Sequence, residues 1–297
     1  MITGKKEYRG WLFLLCAVFL AVLAAVARGG LTAKAAEVSL VRGDRVEYIG
    51  YSTYYYYIDG NLAYCLEPDK TSPGNGTYAS GEMSSDELLA KAMYYVYGGP
   101  GFDTYIKPSL TGGWDAPDRS YCLSHCILSY IYDGCDPNSA GFIGLNEDIK
   151  GAVITFTEHI RNLPPVPDQE LSLSAAEATA FFSAEEKCQR TDLITCQGDA
   201  SNSVTFPLAE GMTLVNVTRQ TRDQGTVTVY GGDQFYLAAD VAYENGGAWD
   251  SGQIKASLDK SWRTLIVETG GSSQDIGSGH LITVEPSSVS LKVKWLE

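Results

Sequence analysis

From residue 203 to the C-terminus, short segments carry apolar residues at every second position, and this alternation constrains the fold more than any other feature of the chain. A period of two sends successive side chains to opposite faces of a strand, so one face is buried and the other wetted. The last segment is the clearest: Val289, Leu291, Val293 and Trp295 alternate with Ser290, Lys292 and Lys294. Further strands are expected at 204–208, 213–217, 225–229, 235–239, 254–258, 264–268 and 280–284, separated by Gly, Asp and Asn turns. Short strands without a helical period between them predict a β-sandwich-like domain over residues 203–297.

The preceding half mixes periods. Residues 45–58, rich in Tyr and β-branched side chains, read as a strand; Asp59-Gly60-Asn61 supplies a tight turn and 62–66 the returning strand. A Pro/Gly-rich loop follows. Helices are expected from a Ser84 or Ser85 cap to about Val96, over 121–132, and over 146–161 ahead of Leu163-Pro164-Pro165. Residues 102–117 read as a surface loop anchored by Trp114, and 175–182 as a helix or part of a linker. The fold class is therefore α+β, with a mixed helical and β unit over 36–168, a linker or extension over 169–202, and the β-sandwich-like domain.

Lys5, Lys6 and Arg9 precede an uninterrupted apolar run from Trp11 to Ala27, and Ala33-Lys34-Ala35 offers a small-x-small cleavage pattern. Residues 1–35 are read as a signal peptide, with a retained N-terminal anchor as the alternative because the run just reaches spanning length. Leu15 before Cys16 does not suit lipidation. Either reading places the rest outside the cytoplasmic membrane, secreted or at the cell surface. The net charge is −14, and removal of the basic leader makes the remainder more acidic still. Such a chain offers nucleic acid no basic footprint. With 19 Tyr and 5 Trp it has the apolar bulk for real cores.

Outside the leader stand Cys65, Cys122, Cys126, Cys135, Cys188 and Cys196. An even number in an exported protein permits disulfides. Cys188 and Cys196 flank a short stretch that a bridge would staple, and Cys122 and Cys126 share a helix face.

Tyr64-Cys65-Leu66-Glu67-Pro68, the loop ending Gly76-Thr77-Tyr78, and Ala92-Met93-Tyr94-Tyr95-Val96-Tyr97-Gly98-Gly99 resemble the cysteine motif, helix and glycine stretch of the thioester domains of Gram-positive surface adhesins. Leu208-Ala209-Glu210-Gly211-Met212-Thr213-Leu214-Val215-Asn216 is similar to the β-domain that accompanies them. The resemblance implies an adhesion role in which a cysteine sulfur is acylated by a glutamine side chain, ammonia leaves, and a surface amine later attacks the thioester. The family's cysteine falls on Cys65, its threonine on Ser124 and its glutamine on His125, with Ile127 and Leu128 following. Histidine has no acyl carbon. No glutamine lies between Cys65 and His125, and the first beyond is Gln169, whose use would require an altered topology.

Four readings of the pair follow: a structural remnant of the niche; a disulfide from Cys65 to Cys122, Cys126 or Cys135; a Cys65/His125 thiolate–imidazole dyad; and a metal held by Cys122, His125 and Cys126. The remnant is preferred. The dyad has no orienting Asn or Asp at a characteristic spacing, Asp118 serving only if the fold brings it near, and the helix lacks a zinc-knuckle pattern. His159 and His280 read as ordinary packed or surface histidines. Lys255, Lys260 or Lys292 with Asn245 would be partners for an isopeptide crosslink, although exposed charge explains them. No cofactor or metal is expected, and no catalytic residue outside the Cys65/His125 alternative. The expected function is non-covalent, adhesin-like binding to an extracellular protein or carbohydrate surface, with a cell-envelope partner for retention. The alternatives are an extracellular cysteine peptidase or acyltransferase, and a structural spacer or subunit of a surface assembly.

Overall fold

The structure, a computed structural model, describes residues 31–48, 51–85, 87–243 and 248–296. Most of the expected signal segment and Asn245 lie outside the described residues. The chain forms two compact units, Met1–Pro164 with Arg263–His280, and Pro165–Trp262 with Leu281–Glu297.

In the first unit, β1 (Leu31–Tyr48), β2 (Tyr51–Ile58), β3 (Asn61–Cys65) and β4 (Gly76–Met83) precede helices α1 (Leu88–Tyr95), α2 (Pro117–Tyr132), α3 (Ala140–Ile143) and α4 (Glu147–Asn162). Strands β5 (Leu171–Leu173), β6 (Glu177–Thr179), β7 (Phe181–Ser183), β8 (Cys188–Arg190), β9 (Ile194–Gly198) and β10 (Ser203–Pro207) follow. After them come β11 (Met212–Asn216), β12 (Thr221–Asp223), β13 (Thr226–Tyr230), β14 (Gln234–Ala239), β15 (Ala248–Asp250) and β16 (Ile254–Lys255). The last four are β17 (Lys260–Val267), β18 (Ile276–Thr283), β19 (Ser288–Val289) and β20 (Lys292–Lys294).

The first unit is organised around a closed barrel in the order β1-β2-β3-β18-β17-β4, with β4 returning to β1. Closure removes the unpaired edges an open sheet would present. Val38, Leu40, Tyr56, Ile58, Ala63, Cys65, Leu265, Val267 and Ile276 fill it. Burying each of its large aliphatic side chains contributes roughly 1.5–3 kcal/mol. The expected hairpin at Asp59-Gly60 is present, Ile58 pairing with Asn61. The single strand expected over 45–58 is instead two, because Tyr48 pairs back onto Tyr51.

Helix α2 starts four residues earlier than its apolar pattern suggested, with Pro117 in the first turn, where a missing N–H costs nothing. It is buried nearly all round, from Ser120 to Ser129. Helix α4 begins on an Asn146 cap whose Oδ1 accepts from Ile149 N at 2.9 Å. Helix α1 is capped at Glu87, not at Ser84 or Ser85. The stretch expected as a loop over 102–117 contains two short helical turns, Phe102–Ile106 and Lys107–Ser109.

The second unit is the expected β-sandwich-like domain. Its main sheet runs β12-β11-β14-β8-β7 with β9 and β5 attached, and smaller pairings β10-β13, β15-β20-β6 and β16-β19 complete the layers. Phe206, Phe235, Trp249, Val293 and Trp295 lie in one core. The final alternation holds: Val289, Leu291, Val293 and Trp295 are buried.

The expected boundaries differ from these units in two places. Residues 169–202, read as a linker or extension, carry β5–β9 and place Leu171, Ile194 and Cys196 in the core, and residues 175–182, read as a helix or part of a linker, contain β6 and the start of β7. Residues 263–280, assigned by sequence to the C-terminal domain, supply barrel strands to the first unit. Period-two patterning identifies a strand but not the sheet it joins.

Candidate functional site

The site is built where β2, β3 and α2 meet. Cys65 ends β3 and His125 lies midway along α2, and both are sealed from solvent. The imidazole is enclosed by aromatic rings, with Tyr121 at 4.6 Å and Tyr64 at 5.2 Å in edge-on contact. Its Nε2 lies 3.4 Å from Thr53 Oγ1, and its Nδ1 has no hydrogen-bond partner. The Cys65 thiol also reaches the Thr53 and Tyr56 hydroxyls. Thr53 therefore stands between Cys65 and His125, and no hydrogen bond joins Cys65 Sγ to His125 among the described residues.

Burial sets the chemistry. Loss of water pushes the Cys65 thiol up to about 12, with the Thr53 and Tyr56 hydroxyls opposing only part of the rise. Burial likewise pushes His125 down to about 3, against a smaller opposing effect of the Cys65 main chain. Both groups are neutral at physiological pH, the reverse of an ion-pair dyad. Cys122 is pushed up to about 12 and Cys126 higher still, burial leading in both cases.

The serines around the niche are occupied structurally. Ser124 Oγ donates to Ser120 O at 2.7 Å and accepts from Tyr97 N at 3.1 Å, which fastens the turn after α1 to α2. Glycine is needed in that turn: Gly98 has φ +81°, and a Cβ on Gly99 would lie 2.3 Å from Tyr94 O. The Tyr121 hydroxyl accepts from Tyr56 N at 3.0 Å and donates to Ala63 O at 2.7 Å, fixing α2 against β2 and β3.

The other sequence candidates are dispersed. Asp118 accepts from the Tyr55 hydroxyl at 2.8 Å and does not orient His125. His159 approaches Tyr105 O at 3.3 Å, and His280 is half-buried. Gln169 belongs to the second unit, where its Oε1 accepts from Ser287 Oγ at 3.1 Å. The six cysteines among the described residues are free thiols. Cys196 points into the sandwich core while Cys188 packs with Val215, Tyr236 and Ala238 in a separate cluster, and the staple their spacing would permit is not formed. Cys135 lines a cleft of about 530 Å³ with Glu67, Lys70, Asp133, Arg161 and Asp275, and its Sγ accepts from Arg161 at 3.4 Å. No group of three or more His, Cys, Asp or Glu side chains among the described residues is arranged to hold a metal. Thr53 is the site residue that sequence reasoning missed; a lone Thr ahead of a run of tyrosines carries no signal of its position.

Residues 37–167 match the family model described as the thioester domain, and residues 172–258 match the thioester-associated beta sandwich domain. Over these two stretches the chain is similar to the thioester domain and to the beta sandwich that accompanies it. Among solved structures, the Bacillus anthracis TIE protein aligns with TM-score 0.51 and 14% identity over 88% of this chain and 49% of that one. The thioester domain of the Enterococcus faecium TIE86 protein aligns with TM-score 0.44 and 17% identity over 90% of this chain and 98% of that one. The thioester domain of the Staphylococcus aureus TIE protein gives TM-score 0.34 and 10% identity over 88% and 99%. The chain thus spans about half the length of the Bacillus protein, and at such identity the likeness is one of fold. No curated protein matches the chain. No helix among the described residues is long and apolar enough to cross a membrane.

Proposed function

We propose that this chain is an exported, surface-associated, adhesin-like protein that binds an extracellular protein or carbohydrate surface non-covalently. The observation that carries the reading is the niche itself. The side chain beside Cys65, at the position the family resemblance gives to glutamine, is an imidazole, and the thiol next to it is sealed and neutral. A stored acyl group needs an acyl carbon, which His125 lacks. Without it, attachment rests on contacts whose lifetime is set by an off-rate. Retention at the envelope then depends on a partner or on the N-terminal segment. The acidic balance of the chain is consistent with a protein or carbohydrate ligand and not with nucleic acid.

A peptidase or acyltransferase using Cys65 and His125 would need a thiolate beside a protonated imidazole. Burial opposes both charges, Thr53 lies between the groups, and Asp118 is engaged elsewhere. A structural spacer remains a third reading, but no specific observation favours it. The adhesin reading is tested by binding of the purified protein to extracellular matrix or cell-surface material. Binding is expected to survive Cys65→Ala, and its loss in a variant that keeps its fold would overturn the non-covalent mechanism.

A further inference from the structure

The barrel that houses Cys65 is completed from the far end of the chain. Trp262 and Leu281 belong to the second unit, whereas Arg263–His280 between them belongs to the first. This hairpin covers the strand that carries the niche: Ile276, Gly277 and Ser278 pair with Cys65, Tyr64 and Ala63, and Ser278 Oγ donates to Leu62 O at 2.8 Å. On its other side Thr264, Leu265, Ile266 and Val267 pair with Met83, Glu82, Gly81 and Ser80.

The tip is fastened separately. Leu66 N donates to Asp275 O at 2.9 Å, and Gln274 Nε2 donates to Lys70 O at 3.0 Å. The Asp275 carboxylate accepts from the Tyr132 hydroxyl at 2.8 Å, while Asp275 N donates to Glu67 Oε2 at 3.0 Å. Below the ladder the fit is close: a Cβ on Gly277 would lie 2.1 Å from Met93 Cε and 3.2 Å from Leu66 Cδ1. Glycine is therefore required there for the hairpin to seat while Met93 and Leu66 keep their places.

We infer that the hairpin Arg263–His280 is a separable clasp over the Cys65 niche, whose release turns a masked thiol into a solvent-exposed one while the second unit stays folded. Proteins open in cooperative pieces at free energies below that of global unfolding. A hairpin with its own tip fastening, held to β3 over a short ladder, is such a piece. Sequence-distant strands close last because loop closure precedes their contacts. Once uncovered, Cys65 loses the burial that keeps its sulfur protonated and becomes an ordinary reactive thiol.

The test labels the full-length exported protein with iodoacetamide, in which the Cys65 sulfur displaces iodide and its proton passes to buffer, with site-resolved mass spectrometry as the readout. Two variants loosen the clasp independently: Asp275→Ala removes the side-chain part of the tip fastening, the carboxylate's bonds with the Tyr132 hydroxyl and Thr269 N, and Gly277→Leu obstructs the seat. Cys65 labelling is expected to rise about tenfold or more in each, with Cys196 in the second core unchanged. Amide exchange over 264–278 reports hairpin opening directly, and Asp275→Ala alone suffices if Gly277→Leu does not fold. The inference is overturned if Cys65 keeps its wild-type rate while those amides exchange faster, if neither variant speeds their exchange, or if Cys65 and Cys196 become reactive together.

Discussion

The two units differ in where they bury their polar groups: Gln189, Thr191 and Asn202 are spread through the second, whereas the first gathers its own around one imidazole. The sandwich core is apolar, from Leu214 and Phe235 to Trp295, and its buried charge is confined to one corner where Asp233 meets Arg219, Asn216 and Tyr230 N. The first unit buries His125, Ser120, Ser124, Ser129 and Thr53 beside three thiols, and leaves two imidazole nitrogens, His125 Nδ1 and His280 Nδ1, without a hydrogen-bond partner. A buried polar atom without a partner costs stability, and the sandwich core carries one too, Trp295 Nε1; what sets the first unit apart is the clustering of its buried polar groups and thiols around His125. One unit is built to hold together and the other to hold a niche.

The largest expected effect strikes the second unit. Leu214→Ala empties a fully buried position and costs about 2–5 kcal/mol, read as a lower urea midpoint with faster amide exchange in β11 and β14. Cys65 stays unlabelled in that variant. A rise in Cys65 reactivity would show that the two cores are not independent.

Acid separates the units next. Folded His125 titrates near 3, whereas an unfolded imidazole titrates near 6.5. Between those values the unfolded chain binds a proton that the folded chain does not. Stability of the first unit is therefore full above about pH 6.5 and falls on acidification, by roughly 3 kcal/mol at pH 4. His125→Gln removes that slope, and equal slopes in wild type and variant would contradict the burial argument. Asp233 behaves differently. Its burial opposes the charge, but Arg219, Tyr230 N–H and Asn216 together hold the carboxyl below its ordinary range. Its contribution is present above the unfolded value of about 3.9 and is lost as pH falls through the lower folded value, so the second unit yields to acid later. Asp233→Asn should cost about 1–3 kcal/mol at neutral pH.

The smallest effect belongs to Thr53→Val, which removes the hydroxyl between Cys65 and His125. A loss of about 1 kcal/mol is expected, with no gain in Cys65 labelling, because burial and not Thr53 keeps the thiol neutral. Labelling of Cys65 in this variant, with its fold intact, would assign Thr53 a masking role.

The sandwich was legible because alternation in a half-buried strand is local: Val289, Leu291, Val293 and Trp295 announce their face within one segment. Cys65, Ser124 and His125 drew attention in the sequence because their neighbours carry motif-like runs, and the fold brings Cys65 and His125 together beside Thr53. The barrel was not legible. Its closing strands are separated by about 200 residues from those they pair with, and nothing in Leu265 or Ile276 states which sheet they join. Thr53 escaped for the same reason, since its role exists only once β2 lies against α2. Residues 169–202 misled because their strands are too short to establish a period.

The central claim is that the niche stores no acyl group. Intact mass of freshly produced, exported protein, before and after incubation with methylamine, tests it most directly. The account predicts the mass of the processed sequence with free thiols, unchanged by methylamine. A native deficit of about 17 Da, reversed as methylamine adds, would place a thioester in the molecule and contradict it.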